Sequence, residues 1–133
     1  MIKNTILALS VFALISSCAK KEEEPVVDTN APTSPTISIN SGESVTSSLN
    51  VTLTLSATDD VGVVAYYLSA SSTTPSSSST SWVDVTSAVS YSSDNVSYTL
   101  TTTSGNYESV YVWFKDAEGN IAGYGASITY SSQ

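Results

Sequence analysis

The stretch "NVTLTLSATDDVGVVAYYLSA", Asn50 to Ala70, decides the fold. In its first part Val51, Leu53, Leu55 and Ala57 alternate with Thr52, Thr54, Ser56 and Thr58. A period of two predicts a half-buried strand over 50–58. Asp59 and Asp60, just ahead of Gly62, carry turn chemistry. "GVVAYYLSA", 62–70, is apolar on both faces and predicts a central strand.

The same period extends in both directions. Thr36 to Ile39 predicts a short first strand, and Ser81 to Val85 another around Trp82. "NVSYTLTT", 95–102, alternates Val96, Tyr98 and Leu100. "YESVYVWFK", 107–115, puts Val110, Val112 and Phe114 on one face and Tyr111 and Trp113 on the other. Ile121 to Tyr130 forms the last strand. Turn residues separate these runs at Ser41-Gly42, Ser92-Ser93-Asp94, Ser104-Gly105-Asn106 and Glu118-Gly119-Asn120. No segment keeps helical spacing over ten residues. Seven short strands predict an all-β, antiparallel two-sheet sandwich over 36–133, with a barrel as the alternative that would want more evenly long strands. About 100 residues can bury one core without disulfides.

Composition narrows the function. The 133 residues carry a net charge of −8, with 4 Lys, no Arg and no His. Nothing here makes the cationic footprint that nucleic acid or anionic lipid headgroups need. Without His, the commonest general base and the usual zinc ligand are missing. The remaining carboxylates, hydroxyls and Lys115 form no recognisable catalytic motif, so no enzyme is expected. Charged residues make up 12% of the chain, about half the usual share, and Ser, Thr and Tyr are abundant. That balance suits an exported β-domain.

The N-terminal region reads as an address and a tether. Lys3 precedes "ILALSVFALI", Ile6 to Ile15, an apolar run too short for the ~20 residues that span a bilayer. It fits the core of a signal peptide over 1–17. Ile15-Ser16-Ser17-Cys18 follows, with the chain's only cysteine. These residues resemble the lipobox of bacterial lipoprotein precursors: an aliphatic residue, two small ones, then Cys. The resemblance implies a diacylglyceryl group on the Cys18 sulfur, cleavage before Cys18 and acylation of the new amino terminus. It also implies a palmitate-bearing protein on the bacterial outer membrane, since Ala19 rather than Asp follows the Cys. Lys20-Lys21-Glu22-Glu23-Glu24 resembles the export signal of surface lipoproteins in Bacteroidota-type bacteria; a solvated charge run is the plainer reading. Residues 18–35, with three prolines, read as a lipidated Cys and a disordered linker. Fully extended, that linker reaches at most ~55–60 Å.

The folded part also resembles a known group. "VTLTLSATDDVGV" (51–63), Tyr66-Tyr67-Leu68-Ser69, Trp82 and "SVYVWFKDAEGN" (109–120) are similar to bacterial Ig-like, fibronectin type III-like modules of exported proteins. The resemblance implies an Ig-like β-sandwich serving as a spacer, adhesion unit or accessory domain, in which 109–120 is the F strand leading into the F–G turn.

Three features are candidate sites. In an Ig-type sandwich the B–C and F–G loops share one end. That brings Asp59 and Asp60 near Asp116, Glu118 and Asn120, at the pole where the tether joins. Hard oxygen donors there could hold Ca²⁺. The spacing is not that of an EF-hand loop, and turn formation accounts for the same residues. Tyr66, Trp82, Tyr111, Trp113 and Tyr124 could form an aromatic face for a sugar or a protein, or could simply stiffen the sheet by cross-strand pairing. Residues 71–81 are Ser or Thr except for Pro75. They predict a mobile, hydrated loop at the pole away from the tether. The expected function is therefore a non-enzymatic, lipid-anchored surface interaction, adhesion or accessory module. It touches the membrane through its lipid alone and needs no cofactor. The alternatives are a carbohydrate-binding module and a Ca²⁺-stabilised spacer.

Overall fold

The computed structural model describes residues 24–133. The expected signal peptide and Cys18 lie outside that range. The described chain is all-β, with β1 Thr33–Ile39, β2 Val45–Thr46, β3 Asn50–Ser69, β4 Val83–Thr99, β5 Tyr107–Lys115 and β6 Ile121–Tyr130. One short 3₁₀ turn, Asn40–Gly42, interrupts the strands at the predicted Ser41-Gly42 turn. The strands form a single, strongly curled sheet in the order β1-β3-β5-β6-β2, with β4 also paired to β3.

The strand count is six where seven were expected, because two predicted pairs merge and a two-residue strand is added. β3 fuses the predicted 50–58 and 62–70 strands. Its first half pairs with β1, as in Leu53 with Ile39, and its second half pairs with β5, as in Tyr67 with Trp113. β4 follows it in reverse along almost its whole length. Between Thr58 and Val63, β3 takes five steps while β4, from Ser90 to Ala88, takes two. The intervening stretch Asp59 to Gly62, three residues longer than its β4 counterpart, forms a bulge at which the sheet curls, with Asp59 and Gly62 buried and Asp60 and Val61 exposed. Asp59-Asp60-Val61-Gly62 is thus a corner inside a strand and does not end it.

The second merger has a similar cause. Ser92-Ser93-Asp94 reads as a turn, yet it lies within β4. Leu53 pairs with Val96 and Leu55 with Ser93, so β4 carries one extra residue there. Asn95 takes it up in the left-handed region, at φ 63°. Asn tolerates that conformation better than most residues. Turn-forming residues make a bulge here because β3 supplies an unbroken ladder alongside.

The apolar face predicted from the period of two is the core. Leu53, Leu55, Val63, Val110, Val112 and Phe114 are all 0% exposed. Ile37 and Ile39 from β1, Leu100 and Ile128 close the cluster. Tyr91 meets Phe114 edge-on with ring centroids 5.9 Å apart. β5 and β6 pair without interruption from Tyr107–Thr129 to Lys115–Ile121. β2 adds the short parallel pair Val45–Thr129 and Thr46–Tyr130 at the outer edge of β6.

Candidate functional site

Two strand corners and the segment ahead of β1 meet at one pole. The β5–β6 turn is built around Asp116, which is 1% exposed. Its Oδ1 accepts from the amides of Gly119 at 2.7 Å and Asn120 at 2.8 Å, and the Asp116 amide donates to the Asn120 carbonyl at 3.2 Å. Gly119 completes the turn at φ 91°, where a Cβ would be strained. The β3 corner is held the same way. Asp59, 3% exposed, accepts at Oδ1 from Val61 N at 3.1 Å and Gly62 N at 2.7 Å. Turn formation therefore does use these acids, as the sequence suggested.

A third carboxylate joins them from outside the predicted set. Asp28 lies in the stretch expected to be disordered linker, yet it is 9% exposed, and Pro32 is buried too. Asp28 Oδ1 accepts from Asn30 N at 2.9 Å. Asn120 bridges the groups: its Nδ2 donates to the Asp28 carbonyl at 3.2 Å and to Asp116 Oδ2 at 2.7 Å. One carboxylate oxygen from each of Asp28, Asp59 and Asp116 lies within 4.8 Å of the others. Oδ2 of Asp28 and Oδ2 of Asp59 are buried without a hydrogen-bond partner.

No positive side chain answers this cluster among the described residues. Lys115 is the only lysine there, and its ammonium goes to the Ser77 carbonyl at 3.1 Å and over the Trp82 ring at 4.8 Å. Of the five predicted ligand residues, Asp59, Asp116 and Asn120 come together. Asp60 is exposed and accepts from Asn30 Nδ2 at 2.9 Å, and Glu118 is exposed on the turn. Asp28 was missed because a Pro-bounded, polar segment reads as linker. The clue was positional, since the predicted strand directions bring the start of the first strand to this same pole.

The aromatic residues do not form one face. Register pairs Trp113 with Tyr67 and Gly123, and Tyr111 with Ser69 and Gly125, on the outer side of the sheet. Tyr66 pairs with Phe114 on the inner side, 6.2 Å from Tyr91 between ring centroids. Burial, with a smaller contribution from Tyr91, pushes the Tyr66 hydroxyl above its ordinary pKa. Tyr124 pairs with core-facing Val112 and so also sits opposite the Trp113 side, at an exposed edge. Tyr111 and Trp113 lie over Gly125 and Gly123, where a Cβ would run into their rings. This is cross-strand aromatic covering of glycine.

Trp82 is held by the Ser-rich loop. Its indole N–H donates to the Ser76 carbonyl at 2.9 Å, and its ring meets Tyr67 edge-on at 5.6 Å. The loop was expected to project from the far pole. It instead folds back over the outer face, so that Ser77 reaches Lys115 and lies against Gly119. Serine hydroxyls accept from amides two residues on, at Ser69, Ser71, Ser76 and Ser79, and so give it a chain of local turns. No protein-family model, curated protein or solved structure matches the chain.

Proposed function

We propose that this chain is a lipid-tethered, exported, non-enzymatic module that holds an Ig-like β-sandwich near a bacterial outer membrane and presents it to a protein partner. The observation that carries this reading is Ser16-Ser17-Cys18 placed directly after a ten-residue apolar run, Ile6 to Ile15, so that Ile15 opens the lipobox. A thioether-linked lipid contributes about 0.8 kcal/mol per buried CH₂, and two or more chains hold a protein stably on a bilayer.

The strand pairing supports the sandwich. β1, the first half of β3 and the second half of β4 make one layer. The second half of β3 with the first half of β4 on one side and β5, β6 and β2 on the other makes the second. That grouping is what an Ig-type sandwich with an unbroken B–C corner would require, and it supports the reading. The lipidated Cys18 would be joined to Asp28 by ten residue steps, a reach of at most ~33–36 Å. The acidic pole would then face the membrane, and the loops around Ser104-Gly105-Asn106 would face outward.

The test is a Cys18→Ser variant expressed in a Gram-negative host and fed radiolabelled palmitate. The expected result is loss of the label and of membrane retention, with the β-fold intact by circular dichroism. Label retained on Cys18→Ser would refute the anchor. Protease shaving of intact cells then separates surface display from the periplasmic face.

A carbohydrate-binding role is favoured by one observation, the adjacency of Tyr67, Trp82 and Trp113 on the outer face. Sugar stacking needs a free ring face and a free polar group nearby. The Trp82 N–H is already bonded and its ring already meets Tyr67 and Lys115. Presentation to a protein is therefore the stronger reading. A blank polysaccharide pull-down is expected, and retention on a glycan that Trp82→Ala abolishes would reverse the order.

A further inference from the structure

We propose that Asp28, Asp59 and Asp116 form a Ca²⁺ site that fastens the segment ahead of β1 to the β3 corner and the β5–β6 turn. The inference is independent of the lipid anchor and would hold for the chain in any compartment with millimolar calcium.

The argument starts from the unpaired oxygens. A buried polar atom without a partner is costly, and a buried carboxylate oxygen more so. Here Asp28 Oδ2 and Asp59 Oδ2 are both buried and both unpartnered, on residues more than nine-tenths buried. They belong to a trio whose carboxylate oxygens converge within 4.8 Å. Carboxylates at that separation repel one another unless a cation or a shared proton sits among them. The described chain has no spare cationic side chain to supply one. The fold spends Oδ1 of each Asp on backbone amides, which fixes the three carboxylates rigidly. The second oxygens of Asp28 and Asp59 are left without a donor, while that of Asp116 accepts from Asn120 Nδ2 at 2.7 Å and keeps a lone pair for an ion.

The donor set selects the ion. All three ligands are hard oxygens, and neither His nor described Cys is near, which disfavours zinc and copper. Ca²⁺ binds oxygens at 2.3–2.6 Å, so oxygens sharing one ion lie no more than ~5 Å apart, a limit this trio meets. Mg²⁺ at 2.0–2.1 Å would draw them closer and demand octahedral geometry, which a site anchored at three separate backbone turns resists. Water completes the coordination. A groove whose lining includes Val27, Asp28, Asn30, Asp60 and Val61 opens beside Asp28 and gives solvent a route to it.

The consequence is mechanical. Asp28 is the first buried residue of the described chain, ahead of β1, and the ion would join it to two corners far apart in sequence. With Ca²⁺ bound, the chain is fixed to the domain from Asp28 onward. Without it, residues 28–32 are held only by the Asn120–Asp28 and Asn30–Asp60 hydrogen bonds and the burial of Pro32, and should open more readily.

The experiment uses the full chain, purified in detergent, stripped with EDTA and titrated with CaCl₂ or MgCl₂ in a calorimeter. The expected result is one Ca²⁺ per chain with Kd in the ~0.1–1 mM range of extracellular modules, and at least tenfold weaker Mg²⁺. Asp28→Asn and Asp59→Asn, which keep the side-chain shape, should each weaken Ca²⁺ at least tenfold. Glu118→Gln, on the same turn but outside the trio, should bind within twofold of wild type. Hydrogen exchange should show Ca²⁺ protecting the amides of Asn30, Val61 and Gly62. The proposal is overturned if folded wild type takes up no Ca²⁺ by 10 mM, or if Glu118→Gln loses binding while Asp59→Asn retains it. It is equally overturned if the chain ignores Ca²⁺ and gains stability on acidification, which would put a shared proton in place of the ion.

Discussion

Glu108 offers a sharp test of how the far pole is held. It occupies a core-facing position of β5, in line with Val110, Val112 and Phe114, and is 8% exposed. Its Oε2 accepts from Thr101 N at 2.6 Å, Thr102 N at 2.9 Å and Thr101 Oγ1 at 3.2 Å; its Oε1 accepts from the Tyr98 hydroxyl at 3.4 Å. The two amide contacts are short and charge-assisted, the stronger class of hydrogen bond. Thr101 is exposed and Thr102 half-buried, so water can replace part of what is lost. Each amide bond is then worth about 1–1.5 kcal/mol, at the low end for bonds to a charged group. Glu108→Ala should therefore cost ~2–3 kcal/mol. For a domain of this size that lowers Tm by roughly 10–20 °C. Glu108→Gln keeps an acceptor oxygen but no charge, and should cost about 1 kcal/mol. Urea melts of the three chains measure both, with the slope m as a check that the unfolded state is unchanged. If both variants fall within 0.5 kcal/mol of wild type at equal m, the carboxylate does not hold the loop (a bound set about half the smaller expected effect).

Three further outcomes follow from the packing. Gly123→Val drives a side chain into the Trp113 indole and should cost ~1–3 kcal/mol by overpacking, most of it recovered in a Gly123→Val/Trp113→Leu double mutant. Phe114→Ala, at a fully buried core position against Tyr91, should cost ~3–5 kcal/mol, read from the same urea melts. The hydroxyls of Tyr66 and Tyr98 are pushed above the ordinary tyrosine value of 10.0, each chiefly through burial, helped at Tyr66 by Tyr91 and at Tyr98 by Glu108. Above pH ~10 the unfolded chain loses protons that the folded chain keeps, so stability should fall as pH rises through the folded pKa values. Tyr98→Phe should flatten that fall, and an unchanged alkaline slope would contradict it.

The core was legible because a strand with one wet face must alternate. Val51 to Ala57 and Val110 to Phe114 gave the buried face residue by residue. The boundaries were not, because turn residues mark a change of backbone direction and do not say whether the ladder stops there. Asp59 to Gly62 and Asp94-Asn95 have turn chemistry and act as bulges in strands that continue, since in each case a partner strand runs alongside. The face taken by each aromatic was only partly legible. Period two put Tyr111 and Trp113 outward, but Tyr66 and Tyr124 turn to the other face by cross-strand register, which no single strand encodes.

The acidic pole shows what local patterns leave out. Asp59, Asp116 and Asn120 were visible as turn residues of adjacent loops, while Asp28 looked like part of a tether. What distinguishes this cluster from ordinary turn chemistry is the comparison with Glu108 in the same fold. Glu108 is as buried as Asp28, and both of its oxygens have donors supplied by the chain. The fold is therefore able to satisfy a buried carboxylate when that carboxylate only holds a loop. At Asp28 and Asp59 it satisfies one oxygen and leaves the other buried and unpaired, twice, in a cluster that also contains Asp116. Two such omissions in one place, in a chain so poor in charge, are hard to attribute to turn formation. A turn needs one oxygen of each Asp, and an ion explains the other.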